Sequence, residues 1–292
     1  MNTKTATILL ASLLAFLTCA PIVKVHAWGN GGYSNDPANP EYGTHDWIAE
    51  HALNMLPAEE RAVIASDEAL LHAFLLGTEL PDNSNKSIGG INDKTKHHVY
   101  FYADGSVQED DAATRAQEEY AEAVANYTAG NWYNASKTLG IMAHYIADVA
   151  VFGHVMGADT DWGTETHHSD YEDYVGSRTG EAGGEFDAYL VYDGASSVSA
   201  YDATLMVAND TTFDFNGDLN CTWMDTNYDW SDTTFKDRCG ESLNMATNTI
   251  ADVLHTFFLI VPEFPPSLIA PIFAVVTLVA VVCLRKKKAQ QA

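Results

Sequence analysis

The sequence predicts an all-α fold. Helix-length stretches recur between 44 and 260, the first two beginning after residues that cap helices and the first three ending at Pro or Gly. No sustained two-residue alternation competes with them, and neither an internal repeat nor a heptad seam is visible. Thr44 is placed to cap a first helix over 45–56, stopped by Pro57. Ser66 precedes a second over 68–76, with Gly77 at its end. The Ala- and Glu-rich stretch 112–129 closes at Gly130. A long apolar helix is expected over 132–154, a shorter one around 168–172, and a last one over 241–260. Two segments break the pattern. Residues 82–110 are rich in Asn, Gly and Asp and read as a long loop, a kind of segment that often carries function. Residues 193–240 are rich in Asp, Asn, Thr and aromatics and read as an irregular or partly stranded insertion.

Both ends stand apart from this fold. Residues 1–27 combine a charged start, an apolar run over 6–23 and a Val25-His26-Ala27 cleavage site, the pattern of a signal peptide. Cleavage there leaves Trp28 as the first residue; the competing lipoprotein reading at Cys19 lacks a good lipobox. Residues 262–266 form a Pro-rich knuckle like those of archaeal surface anchors. The apolar run 267–284 is near the shortest that crosses ~30 Å of hydrocarbon. The basic cluster at 285–288 places the tail 285–292 in the cytoplasm. The expected protein is a cell-surface domain over 28–261, held on its own membrane by one C-terminal helix.

That domain is large enough for one sizeable core. Its two cysteines, Cys221 and Cys239, are expected to form a disulfide in an external compartment. N-glycosylation sequons start at Asn85, Asn126, Asn134, Asn209 and Asn220. Thirty-nine of the chain's 40 acids lie in 28–261 with nine of its 15 Lys and Arg, for a net charge near −30. Such a balance argues against binding nucleic acid by phosphate neutralisation and against electrostatic adhesion to anionic lipid.

The chemistry is concentrated in 144–172. There the chain reads His144-x3-Asp148-x5-His154, then His168-x3-Glu172. Residues four apart share a helix face, so His144 pairs with Asp148 and His168 with Glu172. Imidazole and carboxylate at that spacing suit zinc, and the set is large enough for more than one ion. A lone histidine is most often a packing or surface residue. Together with Trp28, His45, Asp82 and His98, however, the constellation reaches nine positions. Glu50, His51 and His72 fall outside it and read as surface or packing residues, and His167 as a supporting or exposed one.

At these residues the chain resembles the zinc-dependent phospholipase C family and its distant relatives, the zinc-dependent single-strand nucleases. The resemblance covers Trp28 to about Glu172 and is weak beyond, apart from the final helix. It rests on Trp28 at the expected mature terminus, His45-Asp-Trp-Ile, Asp82 in Glu-Leu-Pro-Asp-Asn, and His97-His98-Val-Tyr-Phe. The His144/Asp148/His154 run and His168-Ser-Asp-Tyr-Glu172 complete it. His98 aligns best with the family's loop histidine, with His97 as the alternative. The last motif has the phospholipase form rather than the nuclease form. The stretch from Trp28 to His45 is longer than the family pattern, with 29–33 inserted.

The resemblance implies a multi-helix bundle of the phospholipase C and nuclease type that binds three zinc ions. One would take Asp82, His98, His144 and Asp148. A second would take Trp28 and His45, with Asp148 bridging, and the third His154, His168 and Glu172. The implied activity is hydrolysis of a phosphodiester by activated water, with Asp82 as both ligand and catalytic proton acceptor. The expected substrate is a phospholipid headgroup ester. A surface nuclease or nucleotidase with the same metals, and a non-catalytic surface protein stabilised by zinc, are the alternatives. A weaker pattern, with oxygens at Asp214, Asn216, Asp218 and Asn220, resembles part of a calcium loop but lacks the closing Glu.

Overall fold

The computed structural model describes Trp28 and residues 33–261. The signal peptide, the knuckle, the span 267–284 and the basic tail lie outside the described residues. Among the described residues no helix is long and apolar enough to cross a membrane. The fold is mostly helical, as expected.

α1 (Thr44–Met55) starts one residue early, because Gly43 is the cap. The Asp46 carboxylate reaches back to accept the Gly43 amide, while the Thr44 hydroxyl bonds Thr179 instead. Pro57 ends α1 and opens α2 (Ala58–Ala65), a helix that the sequence reading left out. Its first turn carries Glu59 and Glu60, where acids favour the helix dipole. Asp67, rather than Ser66, caps α3 (Glu68–Glu79), and α3 runs through Gly77. The reason is a close crossing. A Cβ at Gly77 would overlap the Lys137 carbonyl, and one at Gly140 the Phe74 carbonyl. Both glycines therefore let α3 and α5 (Trp132–Asp148) meet backbone to backbone.

α4 (Asp111–Thr128) pairs antiparallel with α5 through a turn at Gly130, whose φ of 77° suits glycine. α5 stops at Asp148, short of the expected 154. Ala150 and Val151 bond back only three residues, and a separate 3-10 turn, Phe152–His154, follows. Gly153 in that turn lies against the His168 ring, where a Cβ would overlap it. The 82–110 segment is not all loop. It holds a 3-10 turn at Lys94–Lys96 and a small antiparallel hairpin of β1 (Tyr100–Phe101) and β2 (Val107–Glu109).

The 193–240 segment is helical rather than irregular or stranded. It contains α7 (Ala200–Phe213), α8 (Cys221–Thr226) and the start of α9 (Thr233–Ile260); α6 (His168–Gly176) precedes it. The Asp, Asn and Ser content that argued against helix supplies the caps: Ser199 for α7, Asn220 for α8, Asp232 for α9. The extended stretch before α7 is clamped along α9. Asn244, Asn248, Asp252 and Thr256, four apart on one helix face, accept the amides of Val191, Asp193, Ser196 and Val198.

Two expectations fail in this region. Cys221 and Cys239 are buried free thiols, not a disulfide. Burial pushes both thiols up to about 12. The calcium reading is also not supported. Asp214 spends its oxygens on the amides of Asn216 and Leu219, at 3.0 and 2.9 Å, and Asn220 caps Trp223 at 2.8 Å. The oxygens close the turn itself, and no candidate metal group includes Asp214, Asn216, Asp218 or Asn220.

Candidate metal centre

Asp148, at the last position of α5, is the centre of the site and fully buried. Its Oδ2 lies 2.8 Å from His97 Nδ1 and 2.9 Å from His144 Nε2. Its Oδ1 lies 3.2 Å from His45 Nε2 and 3.8 Å from His154 Nε2. α1 contributes His45 from its first turn, α5 contributes His144 one turn before Asp148, and the 3-10 turn contributes His154. A second cluster adjoins it: His168 Nε2 stands 2.9 Å from Glu172 Oε1, and His154 Nε2 3.6 Å from the same oxygen.

Second partners set which nitrogen of each ring faces inward. His144 Nδ1 donates to the Thr78 carbonyl at 2.6 Å, which leaves Nε2 with a lone pair toward Asp148. His97 Nε2 faces Asp93 at 3.4 Å, so Nδ1 turns inward. Asp93 is in turn held by the Tyr145 hydroxyl at 2.9 Å and by Arg115 at 3.2 Å. His168 Nδ1 faces Glu165 at 3.3 Å. The inward nitrogens of His97 and His144 then sit 3.3 Å apart, both turned toward Asp148 Oδ2.

Burial lowers His45 from its ordinary value to about 4, and it pushes His154 well down as well. Both rings are therefore neutral near pH 7 and keep a lone pair. Burial alone would raise Asp148, but His144, His154 and His97 hold it well below the usual carboxylate range. Burial also opposes charge on His97; Asp148 above all overcomes that and raises it to about 10. Without metal, the centre attracts positive charge.

The site fits zinc on observations within the protein. Both ring nitrogens of His45 and of His154, both oxygens of Asp148 and Glu172 Oε2 are buried without a hydrogen bond among the described residues. Each such atom would cost about 1–3 kcal/mol if nothing met its lone pairs. Short His–Asp distances without hydrogen-bond geometry are what lone pairs aimed at a shared cation produce. Three groups have ligand atoms within 4.8 Å of one another: His45/His144/Asp148, Asp82/His97/His144 and His154/His168/Glu172.

Most of the sequence-derived positions therefore converge. Trp28 is buried beside the centre, its indole donating to the Ala147 carbonyl at 2.9 Å next to Asp148. His98 is the exception, since none of the three groups includes it and His97 holds its place. His98 instead lies over His154, with ring centroids 5.0 Å apart. The cause is the path of the chain from the 3-10 turn into β1. From 97 to 101 burial alternates, with His97, Val99 and Phe101 inward. The apolar Val99 and Phe101 were the signal in the sequence that could have singled out His97. Sequence reasoning also missed the supporting residues Thr78, Asp93 and Glu165, and Lys94, whose ammonium lies 3.8 Å from Asp82.

The model of the zinc-dependent phospholipase C family matches residues 44–214, more than half of the chain. The chain belongs to this family. Two solved clostridial structures are similar to it. The alpha toxin of Clostridium absonum aligns with a TM-score of 0.52 at 16% identity, covering 79% of this chain and 66% of that one. The alpha-toxin of Clostridium perfringens avian strain SWCP aligns with a TM-score of 0.44 at 17% identity, covering 77% and 65%. At this identity the first likeness speaks for the fold. The present chain spans just under two thirds of that toxin's length. A search of curated proteins found no match. Membership of the zinc-dependent phospholipase C family agrees with the three candidate metal groups and with more than one zinc ion.

Proposed function

We propose that this member of the family hydrolyses phosphodiesters, with phospholipid headgroup esters as the substrate class and three zinc ions as cofactor. The observation that carries this is Asp148, ringed by His45, His97, His144 and His154, with lone pairs that no donor among the described residues meets. Asp82, His97, His144 and Asp148 would hold one ion; His45 and Asp148, with Trp28 adjacent, a second; His154, His168 and Glu172 the third. Bound zinc supplies Lewis-acid charge for the phosphate oxygens and lowers the pKa of water to about 7.

The chain's own groups supply the rest. Asp82, buried next to His97, is the candidate acceptor of the water's proton. Lys94, partly exposed beside it, brings a positive charge to the rim, where an anionic phosphate would approach. Asp93, itself held by Arg115 and the Tyr145 hydroxyl, faces His97 Nε2, so that the inward nitrogen of that ring is aimed before substrate arrives. The apolar run 267–284 with its basic flank supports a single C-terminal anchor, which would hold the domain outside the cell.

The test pairs metal analysis with hydrolysis. The purified protein is expected to hold three zinc ions and to release phosphorylated headgroup from phospholipid. Asp82→Asn should lose at least about 100-fold in rate, the usual size of general-base catalysis. Product from single-stranded nucleic acid alone would transfer the site to the nuclease reading. No cleavage of any ester by the zinc-loaded protein would leave only a structural role for the metals.

A further inference from the structure

The helices that build the metal centre share one axis, and their other ends meet in a different surface. α1 carries His45 in its first turn and leads to α2; α3 ends near Thr78; α5 ends at Asp148. At the opposite end Leu70 of α3, Ile64 of α2, Tyr127 of α4, Trp132 of α5 and Phe257 of α9 line a shallow apolar recess. Tyr127 stacks on Trp132 and meets Phe257 edge-on, and Glu60 of α2 pairs with His255 of α9. Sixteen residues separate Trp132 from Asp148 along α5, about 24 Å at the helical rise.

Glu59, Glu60, Arg61 and Glu68 stand around this end, but two of the chain segments that build it are free of charged residues. Residues 123–136 contain no Asp, Glu, Lys or Arg, and neither do 253–262. Large apolar side chains stand exposed there: Trp132 at 40%, Tyr133 at 40%, Leu259 at 59% and Ile260 at 57%. It is also the end from which the chain leaves the domain. α9 stops at Ile260, and the 18-residue apolar run begins seven residues later, at 267.

We propose that the exposed apolar residues of this end rest on the lipid surface entered by residues 267–284, and that it holds the metal centre about 24 Å from that surface. The proposal rests on the anchoring reading given above. Only six residues, 261–266, separate Ile260 from that run, so on this proposal the domain stands on the end at which α9 stops. Trp and Tyr with an apolar body and a polar tip are suited to the interface between headgroups and acyl chains. A hydrolase so mounted acts on phosphodiesters presented from outside, such as lipid of an apposed surface, in preference to lipid of its own leaflet. Seating this end on lipid also predicts that the sequons at Asn126 and Asn134, both within it, carry no glycan.

The experiment uses the full chain reconstituted in phosphatidylcholine vesicles with brominated acyl chains. Co-flotation with the vesicles, quenching of tryptophan emission, loss of most of that quenching in Trp132→Phe, and faster release of headgroup from added vesicles than from the host vesicles are expected. Failure to co-float overturns the anchoring reading and this proposal with it, and leaves the zinc chemistry standing. Co-flotation with equal quenching in wild type and Trp132→Phe overturns the proposal alone. So does a glycan at Asn126 or Asn134 on protein from its native cell. Faster hydrolysis of host lipid than of added lipid overturns the outward-facing action.

Discussion

At the scale of single residues, the site is decided by which atom each side chain turns inward. His97 and His98 are adjacent and chemically identical, yet only His97 belongs to a candidate metal group. His97→Ala should therefore lower the zinc content by at least one ion and abolish most hydrolysis. His98→Ala should keep the full metal count, with a moderate loss of hydrolysis because His154 loses the ring packed beside it. Metal analysis of the two purified variants checks this, and the reverse pattern would return the ligand role to His98. Asp148 carries more than any histidine because its two oxygens face four rings. Removing it would leave those imidazoles buried around nothing.

At the scale of elements, close approach and capping explain where helices start and end. α3 and α5 touch at Gly77 and Gly140, one residue before Thr78 and four before His144, the hydrogen-bonded pair that orients one inward ring. Gly140→Ala would push the Phe74 carbonyl away and should cost about 1–3 kcal/mol, the usual range for overpacking. The same shift should loosen the His144–Thr78 bond, so zinc affinity should fall together with the melting temperature. An unchanged melting temperature would show that the crossing is slack. α6 is held differently. Asp225 of α8 accepts the amides of Thr166 and His167, at 2.8 and 3.0 Å, and so secures the start of the helix that carries His168 and Glu172. A segment that reads as an insertion thus supports the third metal group.

At the scale of the whole molecule, the metals and the fold are thermodynamically linked. Each zinc held at a free concentration a hundredfold above its Kd would add about 2.7 kcal/mol to stability. Chelation should therefore lower the melting temperature in a zinc-reversible way. The pH dependence of the metal-free protein has two arms. His97 is raised from 6.5 to about 10, so its contribution is complete below pH 6.5 and is lost as pH rises through about 10. His45 is lowered to about 4, so burying it neutral favours folding above pH 6.5, and that gain is lost as pH falls through about 4. Zinc requires both rings deprotonated, so loading should remove the alkaline arm and make the acid loss steeper. Melting curves from pH 4 to 10, with and without chelator, read both arms; an alkaline arm that persists with zinc would show His97 is not a ligand.

The all-α class, most helix positions and the His144/Asp148 and His168/Glu172 pairs were legible in the sequence, because four-residue spacing on a helix is a local property. The caps in 193–240 were misread, because Asp, Asn and Ser favour turns and helix starts alike. Only the tertiary structure decided that His45, His97 and His154, far apart in the chain, face one carboxylate. It alone also left the two cysteines apart and gathered the uncharged runs at the end opposite the metals. Each of these depends on how helices cross, a matter of packing between distant residues that no short stretch of chain encodes.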